Sequence, residues 1–311
     1  MKGKFYHICF TSHNEVLCRN HTDYSILFNC IVQAVINTNS KLLAYCIMSN
    51  HVHIAVCTEG LALTNLVKRI RTSYTQMFNH IYQRNGSLGD PSFYRIELQG
   101  RCHTVTALSY ILRNPMHHNV CANPYDYPFS SINLYFRKSL SSVPFVRYKN
   151  ANISRCRLVR RNNVLPKNMA FDSNGQILPQ NIVENTIVES LFGSYNAFQY
   201  YMHRRNYEEW SLEQLSDGNN IKPISIEYIE PFLTSDEIKR AILQSPNWQR
   251  EETISDLELC HIIDEEYLPY FKVRSYAQLT HEQKKEIYTV LCRRFMFASN
   301  QIARCLGFGK W

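Results

Sequence analysis

Two histidines stand one residue apart in an otherwise apolar stretch, Met48-Ser49-Asn50-His51-Val52-His53-Ile54-Ala55-Val56. If this stretch is a strand, His51 and His53 point to one face and Val52 to the other, because successive side chains alternate. Two imidazoles about 7 Å apart along one face can converge on one small cation. The pattern also fits two rings that are hydrogen-bonded at a sheet surface, so His-x-His alone leaves both interpretations open.

A tyrosine and an asparagine form a second candidate group. Tyr110 and Asn114 are four residues apart in Ala107-Leu108-Ser109-Tyr110-Ile111-Leu112-Arg113-Asn114-Pro115, and on a helix such residues share one face. A phenol beside an amide can present a nucleophile and a metal-binding oxygen together. A buried helical tyrosine is the alternative, because the chain contains 20 tyrosines.

The elements that must position these residues follow from hydrophobic periodicity. Asp23 is predicted to cap the first helix. Strands are predicted at 4–11, 41–48, 51–57 and 93–98, and helices at 24–36, 61–82 and 104–114. The order β-α-β-β-α-β-α predicts an α+β domain with a ferredoxin-like antiparallel sheet and helices on one face.

Charge is distributed unevenly along the 311 residues, whose formal net charge is +8. Residues 1–171 contain 20 basic and 6 acidic residues, whereas residues 172–311 contain 14 basic and 20 acidic ones. This asymmetry suggests a polyanion-binding domain (1–140), a basic linker (141–180) and a mostly helical accessory domain (181–311). The linker's charge equally fits a solvated connection. Accessory helices are predicted at 182–192, 195–203, 234–244, 253–266 and 281–297.

Composition argues against two classes of protein. No apolar run approaches the roughly 20 residues of a membrane span, and the N-terminus lacks the apolar core of a signal peptide, which predicts a cytoplasmic protein. The 11 cysteines include no Cys-x-x-Cys pair. A structural zinc site is therefore not expected, and the cysteines are predicted to be reduced.

Taken together, the two motifs are similar to those of a known family. Tyr45-Cys46-Ile47-Met48-Ser49-Asn50-His51-Val52-His53-Ile54 followed by Tyr110-Ile111-Leu112-Arg113-Asn114-Pro115 resembles the single-tyrosine HUH transposases, and among them the REP-associated tyrosine transposases. Ser73-Tyr74-Thr75-Gln76-Met77-Phe78-Asn79 and Ser130-Ser131 extend the resemblance over about residues 4–135. The chain departs from the family at Ser49, where proline is usual, and in the loop after Gly86.

The resemblance implies metal-dependent cleavage and strand transfer of single-stranded DNA at palindromic hairpins. His51 and His53 would bind Mg²⁺ or Mn²⁺, Asn114 would supply a third ligand, and Tyr110 would form a 5′-phosphotyrosine link. Hairpin DNA would be the partner, with no membrane, and the large appended domain favours a monomer over a homodimer. The basic residues expected to contact DNA are Lys68, Arg69, Arg71, Arg95, Arg101 and Arg113.

Other interpretations fit the same residues. A nickase or relaxase-like initiator would use the same site, and a non-catalytic protein could bind hairpin DNA and regulate expression. His103, His117 and His118 flank the predicted tyrosine helix as candidate bases or surface histidines, and the sequence does not choose between these roles. Residues 299–308 resemble the first helix and turn of a helix-turn-helix, which is either degenerate or only a helical cap.

Overall fold

In the computed structural model, four strands form an antiparallel sheet in the order β2-β3-β1-β4. They are β1 (Lys4–Thr11), β2 (Lys41–Ile47), β3 (His51–Thr58) and β4 (Tyr94–Leu98). The central strands β1 and β3 pair along their length, with Cys9 opposite His53. The residues described are 3–12, 15–89, 92–118, 120–137, 146–147, 165–166, 168–204, 212–218, 221–233, 238, 254–295 and 299–308.

Three helices cover the sheet. On one face, α1 (His21–Asn37) brings Phe28 against Tyr45 of β2, and α2 (Gly60–Tyr82) brings Arg71 over Phe10 of β1. On the other face, α3 (Arg101–His117) lies against the side of β3 that carries the two histidines. The ferredoxin-like fold class is confirmed. Two helices share one face as predicted, and α3 differs by occupying the opposite face.

Two predicted helix ends are wrong. The N-cap of α1 is Asn20, whose side chain accepts a hydrogen bond from the backbone N–H of Asp23. Asp23 is instead buried, where its carboxylate accepts hydrogen bonds from the Arg19 N–H and the Tyr82 hydroxyl. The second wrong end is the C-terminus of α3, predicted at residue 114. The helix continues through Pro115 to His117, because a proline in the last turn removes only one helical hydrogen bond.

The second half of the chain is mostly helical where it is described. The predicted helix 253–266 ends in a π-helical turn, Ile263–Tyr267. The predicted helix 234–244, except residue 238, and most of the linker lie outside the described residues. The helices are α4 (Asn185–Phe192) and α5 (Tyr195–His203), then Ile226–Ile229, Asp256–Ile262, Leu268–Tyr270, His281–Arg294 and Ser299–Cys305.

One hydrophobic cluster joins the two halves of the chain. It contains Ile54 of β3 and Phe78 of α2 together with Phe192, Ile287 and Ile302 of the second half. The helices of residues 181–308 therefore pack on the first domain. None of the helices in the described part of the chain is long and apolar enough to cross a lipid bilayer. The described cysteines are all free thiols.

A residue of the second half also contacts the N-terminus of α3. Gly100 precedes this helix with φ of +82°, and a Cβ built on it would lie 2.4 Å from Cγ of Asp217. Only glycine allows this close approach in a left-handed conformation. The Asp217 carboxylate accepts a hydrogen bond from the His103 N–H at 2.7 Å. A carboxylate at this position stabilises the helix N-terminus.

A buried arginine connects the first domain to the C-terminal helices. Arg19 donates hydrogen bonds to Asp264 at 2.6 Å and to the carbonyl of Cys305 at 2.5 Å, and its guanidinium lies 4.0 Å from the Tyr276 ring centroid. Its side chain is fully buried, whereas Asp264 is partly exposed. Removing one member of such a pair leaves a poorly compensated charge.

We expect Arg19→Met to lower the free energy of unfolding by about 3–5 kcal/mol, because it leaves Asp264 and the Cys305 carbonyl without their donor. The matched control is Arg294→Met, which removes an ion pair to Glu266 whose members are both about half exposed and should cost about 1 kcal/mol or less. Urea unfolding measures both variants. Equal losses would contradict the assigned role of Arg19.

Candidate active site and metal centre

The fold brings four predicted residues to one place. β3 directs His51 and His53 toward α3, and α3 presents Tyr110 and Asn114 on the facing side. His51 Nε2 lies 2.9 Å from Asn114 Oδ1. The Tyr110 ring meets the His53 ring edge-on, with centroids 5.9 Å apart. The histidine pair is therefore buried beside a tyrosine rather than at a sheet surface.

A fifth residue, Glu230, was not predicted from the sequence. Its Oε1 lies 2.6 Å from His53 Nε2 and accepts a hydrogen bond from Asn114 Nδ2 at 2.5 Å. Glu230 follows the short helix Ile226–Ile229. The only sequence signal is its position in the acid-rich second half, because 177 residues separate it from His53 and local patterns carry no information about such a contact.

The donor set suits a metal ion. His51, His53 and Glu230 each offer one ligand atom, and these atoms all lie within 4.8 Å of one another. His51 turns both ring nitrogens to carbonyl oxygens, Nδ1 to Asn50 and Nε2 to Asn114, each at 2.9 Å. A neutral imidazole can donate from only one nitrogen. The other nitrogen of the His51 ring therefore keeps a lone pair that a cation can accept.

Burial and charge set the protonation of the donors. Burial lowers the pKa of His51 well below its ordinary value, so its ring is neutral at pH 7. Burial opposes ionisation of Glu230, but the charge of His118 and the hydrogen bonds to His118 and His53 keep the pKa of Glu230 well below the ordinary range. Neutral imidazole and an ionised carboxylate are the forms that bind metal.

The three histidines around α3 have different surroundings. His117 stacks on Tyr110, with ring centroids 4.6 Å apart, and burial lowers the pKa of His117. His118 Nε2 lies 3.1 Å from Glu230 Oε2. His103 accepts a hydrogen bond from the Gln99 N–H at the opposite end of the helix. His103 and His117 are buried rather than at the surface, and of the three candidate bases His117 is the one that stacks on the tyrosine.

A segment of the second half covers the site. We call residues 224–233 the covering segment. Its Ile224, Ile226 and Ile229 share one hydrophobic cluster with Tyr110, and its Phe232 lies 5.6 Å from the His51 ring. Tyr110 and the donor residues are buried beneath it. In this arrangement the Tyr110 side chain is closed to solvent.

The six basic residues predicted to contact DNA do not form one surface. Lys68 and Arg69 are exposed and line a cleft of about 220 Å³ between α1 and α2, on the sheet face opposite Tyr110. Arg95 is exposed on β4, whereas Arg113 is buried in α3. Arg71 donates to the carbonyl of Ser92, and Arg101 donates to that of Leu191. A role in DNA contact remains a prediction for all six.

The helix-turn-helix resemblance falls on a segment that packs inward. Helix Ser299–Cys305 directs Arg304 to Asp256, with an Nη2–Oδ1 distance of 2.8 Å. The other oxygen of Asp256 accepts a hydrogen bond from Ser49 Oγ at 2.5 Å. Ser49 stands where proline is usual in the resembled family and precedes β3. Through Asp256, this helix is linked to the turn before His51.

The first domain matches a family model described as "Transposase IS200 like" over residues 2–113. The match includes His51, His53 and Tyr110. Residues 2–113 are therefore similar to IS200-like transposases. DNA processing of the transposition type is the activity of this family. Asn114 lies just beyond the matched residues and Glu230 lies far outside them, so the match does not cover the whole donor set.

One solved structure similar to this chain is a REP-associated tyrosine transposase bound to a REP hairpin. The two share 18% sequence identity, with a TM-score of 0.37, over 43% of this chain and 79% of the other. No curated protein matches the chain significantly.

Loss of the Glu230 carboxylate should loosen the covering segment. In metal-free protein, we expect Glu230→Ala to speed amide hydrogen exchange of residues 224–233 about tenfold or more, because a buried hydrogen-bonded charge contributes about 1–3 kcal/mol. Glu227→Ala is the control, since Glu227 is exposed in the same short helix. Unchanged exchange in Glu230→Ala would show that Glu230 does not anchor the segment.

Proposed function

We propose that the chain cleaves single-stranded DNA at hairpins and transfers the strand through a covalent bond to Tyr110. The observation that carries this proposal is the meeting of Tyr110, His51 and His53 in one buried site of an IS200-like domain. Hairpin DNA is proposed because the sequence motifs resemble those of REP-associated tyrosine transposases. The large helical second half favours a monomer over a homodimer.

Tyr110 would act as the nucleophile. Its phenol loses a proton, Oη forms a bond to phosphorus and the bond from phosphorus to O3′ breaks. The products are a 5′-phosphotyrosine and a free 3′-OH that has gained a proton. Attack by another 3′-OH reverses the step and joins strands without an external energy source. His117, stacked on the Tyr110 ring, would fix its direction.

His51, His53 and Glu230 would hold a divalent cation, with Asn114 Oδ1 beside them. When bound, Mg²⁺ or Mn²⁺ polarises the phosphodiester and stabilises the leaving oxygen. Two imidazoles and a carboxylate suit Mn²⁺ better than Mg²⁺, which prefers oxygen donors and water. The direct contacts among these side chains must lengthen to admit an ion, because Glu230 Oε1 and His53 Nε2 are only 2.6 Å apart.

A second candidate function is binding of hairpin DNA without cleavage, with a regulatory outcome. One observation favours it. The covering segment buries Tyr110 and the donor set, so DNA can bind elsewhere on the domain without contacting the nucleophile. The two functions share a DNA ligand and differ in whether a covalent bond forms.

Covalent capture tests the proposed reaction. We expect wild-type protein incubated with Mn²⁺ and end-labelled single-stranded hairpin DNA from the flanks of its own gene to give a protease-sensitive shifted band on a denaturing gel. Tyr110→Phe removes only the attacking oxygen and should abolish the band, as should chelation of the metal.

The matched control is Tyr135→Phe, because Tyr135 is another buried tyrosine of the first domain, bonded to the Leu43 carbonyl. It should keep the band. A band that persists in Tyr110→Phe would exclude Tyr110 as the nucleophile. Tight hairpin binding by wild-type protein with no band would favour the non-catalytic function.

Lys68 and Arg69 give a separate prediction about DNA contact. The double variant Lys68→Gln/Arg69→Gln should weaken hairpin binding and reduce the slope of log K against log salt by about 1 to 2, because each phosphate contact releases counterions. Lys285→Gln/Arg293→Gln removes the same charges from an exposed helix of the second half and is the control. If the slope of log K against log salt is equal in the two double variants, the DNA does not contact Lys68 and Arg69.

A further inference from the structure

His7 lies directly behind His53. It belongs to β1, and its Nε2 is 2.8 Å from Nδ1 of His53. The two rings are stacked, with centroids 5.1 Å apart and planes 19° from parallel. Both side chains are fully buried. Burying a polar ring is costly unless it is hydrogen-bonded, so this contact accounts for the presence of a histidine inside the domain.

The two nitrogens of His53 therefore have different tasks. Nε2 faces the donor set and lies 2.6 Å from Glu230 Oε1, whereas Nδ1 faces only His7 among the described contacts of that atom. A metal-binding histidine generally uses its second nitrogen for an outer hydrogen bond, which fixes the orientation and tautomer of the ring. Asn50 contacts Nδ1 of His51 in the corresponding way, at 2.9 Å.

We propose that His7 is a positioning residue that holds the His53 ring and lets it exchange tautomers when a cation replaces the contact with Glu230. The inference rests on the cation site of the proposed function. It concerns the outer hydrogen bond of His53, which no reaction step described above uses.

The tautomers can be followed atom by atom. Without a cation, His53 Nε2–H donates to the Glu230 carboxylate, so Nδ1 must accept from His7 Nε2–H. With a cation on Nε2, the proton of His53 lies on Nδ1 and donates to His7 Nε2, and the proton of His7 moves to its Nδ1. Each ring carries one proton before and after, so the exchange requires no net uptake.

An imidazole is suited to this role because its Nε2 can donate in one state and accept in the other. His7 Nδ1 has no hydrogen-bond partner within the described part of the chain, which leaves this nitrogen able to carry the proton or not. A leucine or phenylalanine at position 7 could do neither. An asparagine could do both, since its amide offers a donor and an acceptor.

The test uses full-length protein and the variants His7→Leu, His7→Phe and His7→Asn. Calorimetry measures the affinity for Mn²⁺, and ¹⁵N shifts of labelled histidine report the His53 tautomer in metal-free protein. We expect Leu and Phe to weaken Mn²⁺ binding about 10–100-fold and to replace a single His53 tautomer by a mixture. His7→Asn should partly restore the Mn²⁺ affinity and the single His53 tautomer. Leu and Phe differ in volume, so the test still works if one of these two variants does not fold.

The control is His103→Phe, which removes another buried histidine of the same domain that bonds the Gln99 N–H and lies away from the site. Its Mn²⁺ affinity should equal that of wild-type protein. A folded His7→Leu or His7→Phe protein with wild-type affinity and an unchanged His53 tautomer would overturn the inference.

The two proposals fail in distinguishable ways. If wild-type protein does not bind Mn²⁺, the cation site of the proposed function is wrong. The His53 tautomer in metal-free protein still decides the role of His7. A mixture in the nitrogen-free variants would support positioning, and a single tautomer identical to that of wild-type protein would exclude it.

Discussion

The fully buried carboxylate of Glu230 is the interaction on which the site depends. Taking a carboxylate out of water costs several kcal/mol, and only close hydrogen bonds and opposite charge offset that cost. Here His53, Asn114 and His118 surround the carboxylate at 2.5–3.1 Å. The same contacts orient Asn114, because its amide nitrogen must face the carboxylate and its oxygen must then face His51. One charge thereby orders a strand, a helix and a segment of the second half.

Acidic residues of the second half contact the first domain at several places, four of which lie around the site or in the core. Asp217 holds the start of α3, Glu230 lies in the donor set, Asp256 holds the turn at Ser49, and Asp264 pairs with Arg19. The charge asymmetry along the sequence therefore serves contacts within the molecule. Acid-rich segments dock on a basic domain, at both ends of α3 and at the turn before β3.

This arrangement gives the covering segment two opposite effects. It supplies a carboxylate that completes a set of two imidazoles and one anionic oxygen, the donor types that bind transition metals. It also places three isoleucines in one hydrophobic cluster with the buried Tyr110. The covering segment therefore controls both the access of DNA to Tyr110 and the position of Glu230 in the donor set. The two candidate functions differ in whether this segment moves.

The sequence by itself determined the parts that local physics encodes. Alternation in β3 placed His51 and His53 on one face, helical spacing placed Tyr110 and Asn114 together, and the order of elements specified the ferredoxin-like sheet. Tertiary structure decided the rest. The N-cap moved from Asp23 to Asn20 because the Asp23 carboxylate bonds Tyr82, which lies 59 residues away. Arg113 is buried, although helical periodicity allowed it to be exposed. Glu230 joined the site from 177 residues away, since contacts at such separation depend on how complete elements pack and leave no periodic trace in the chain.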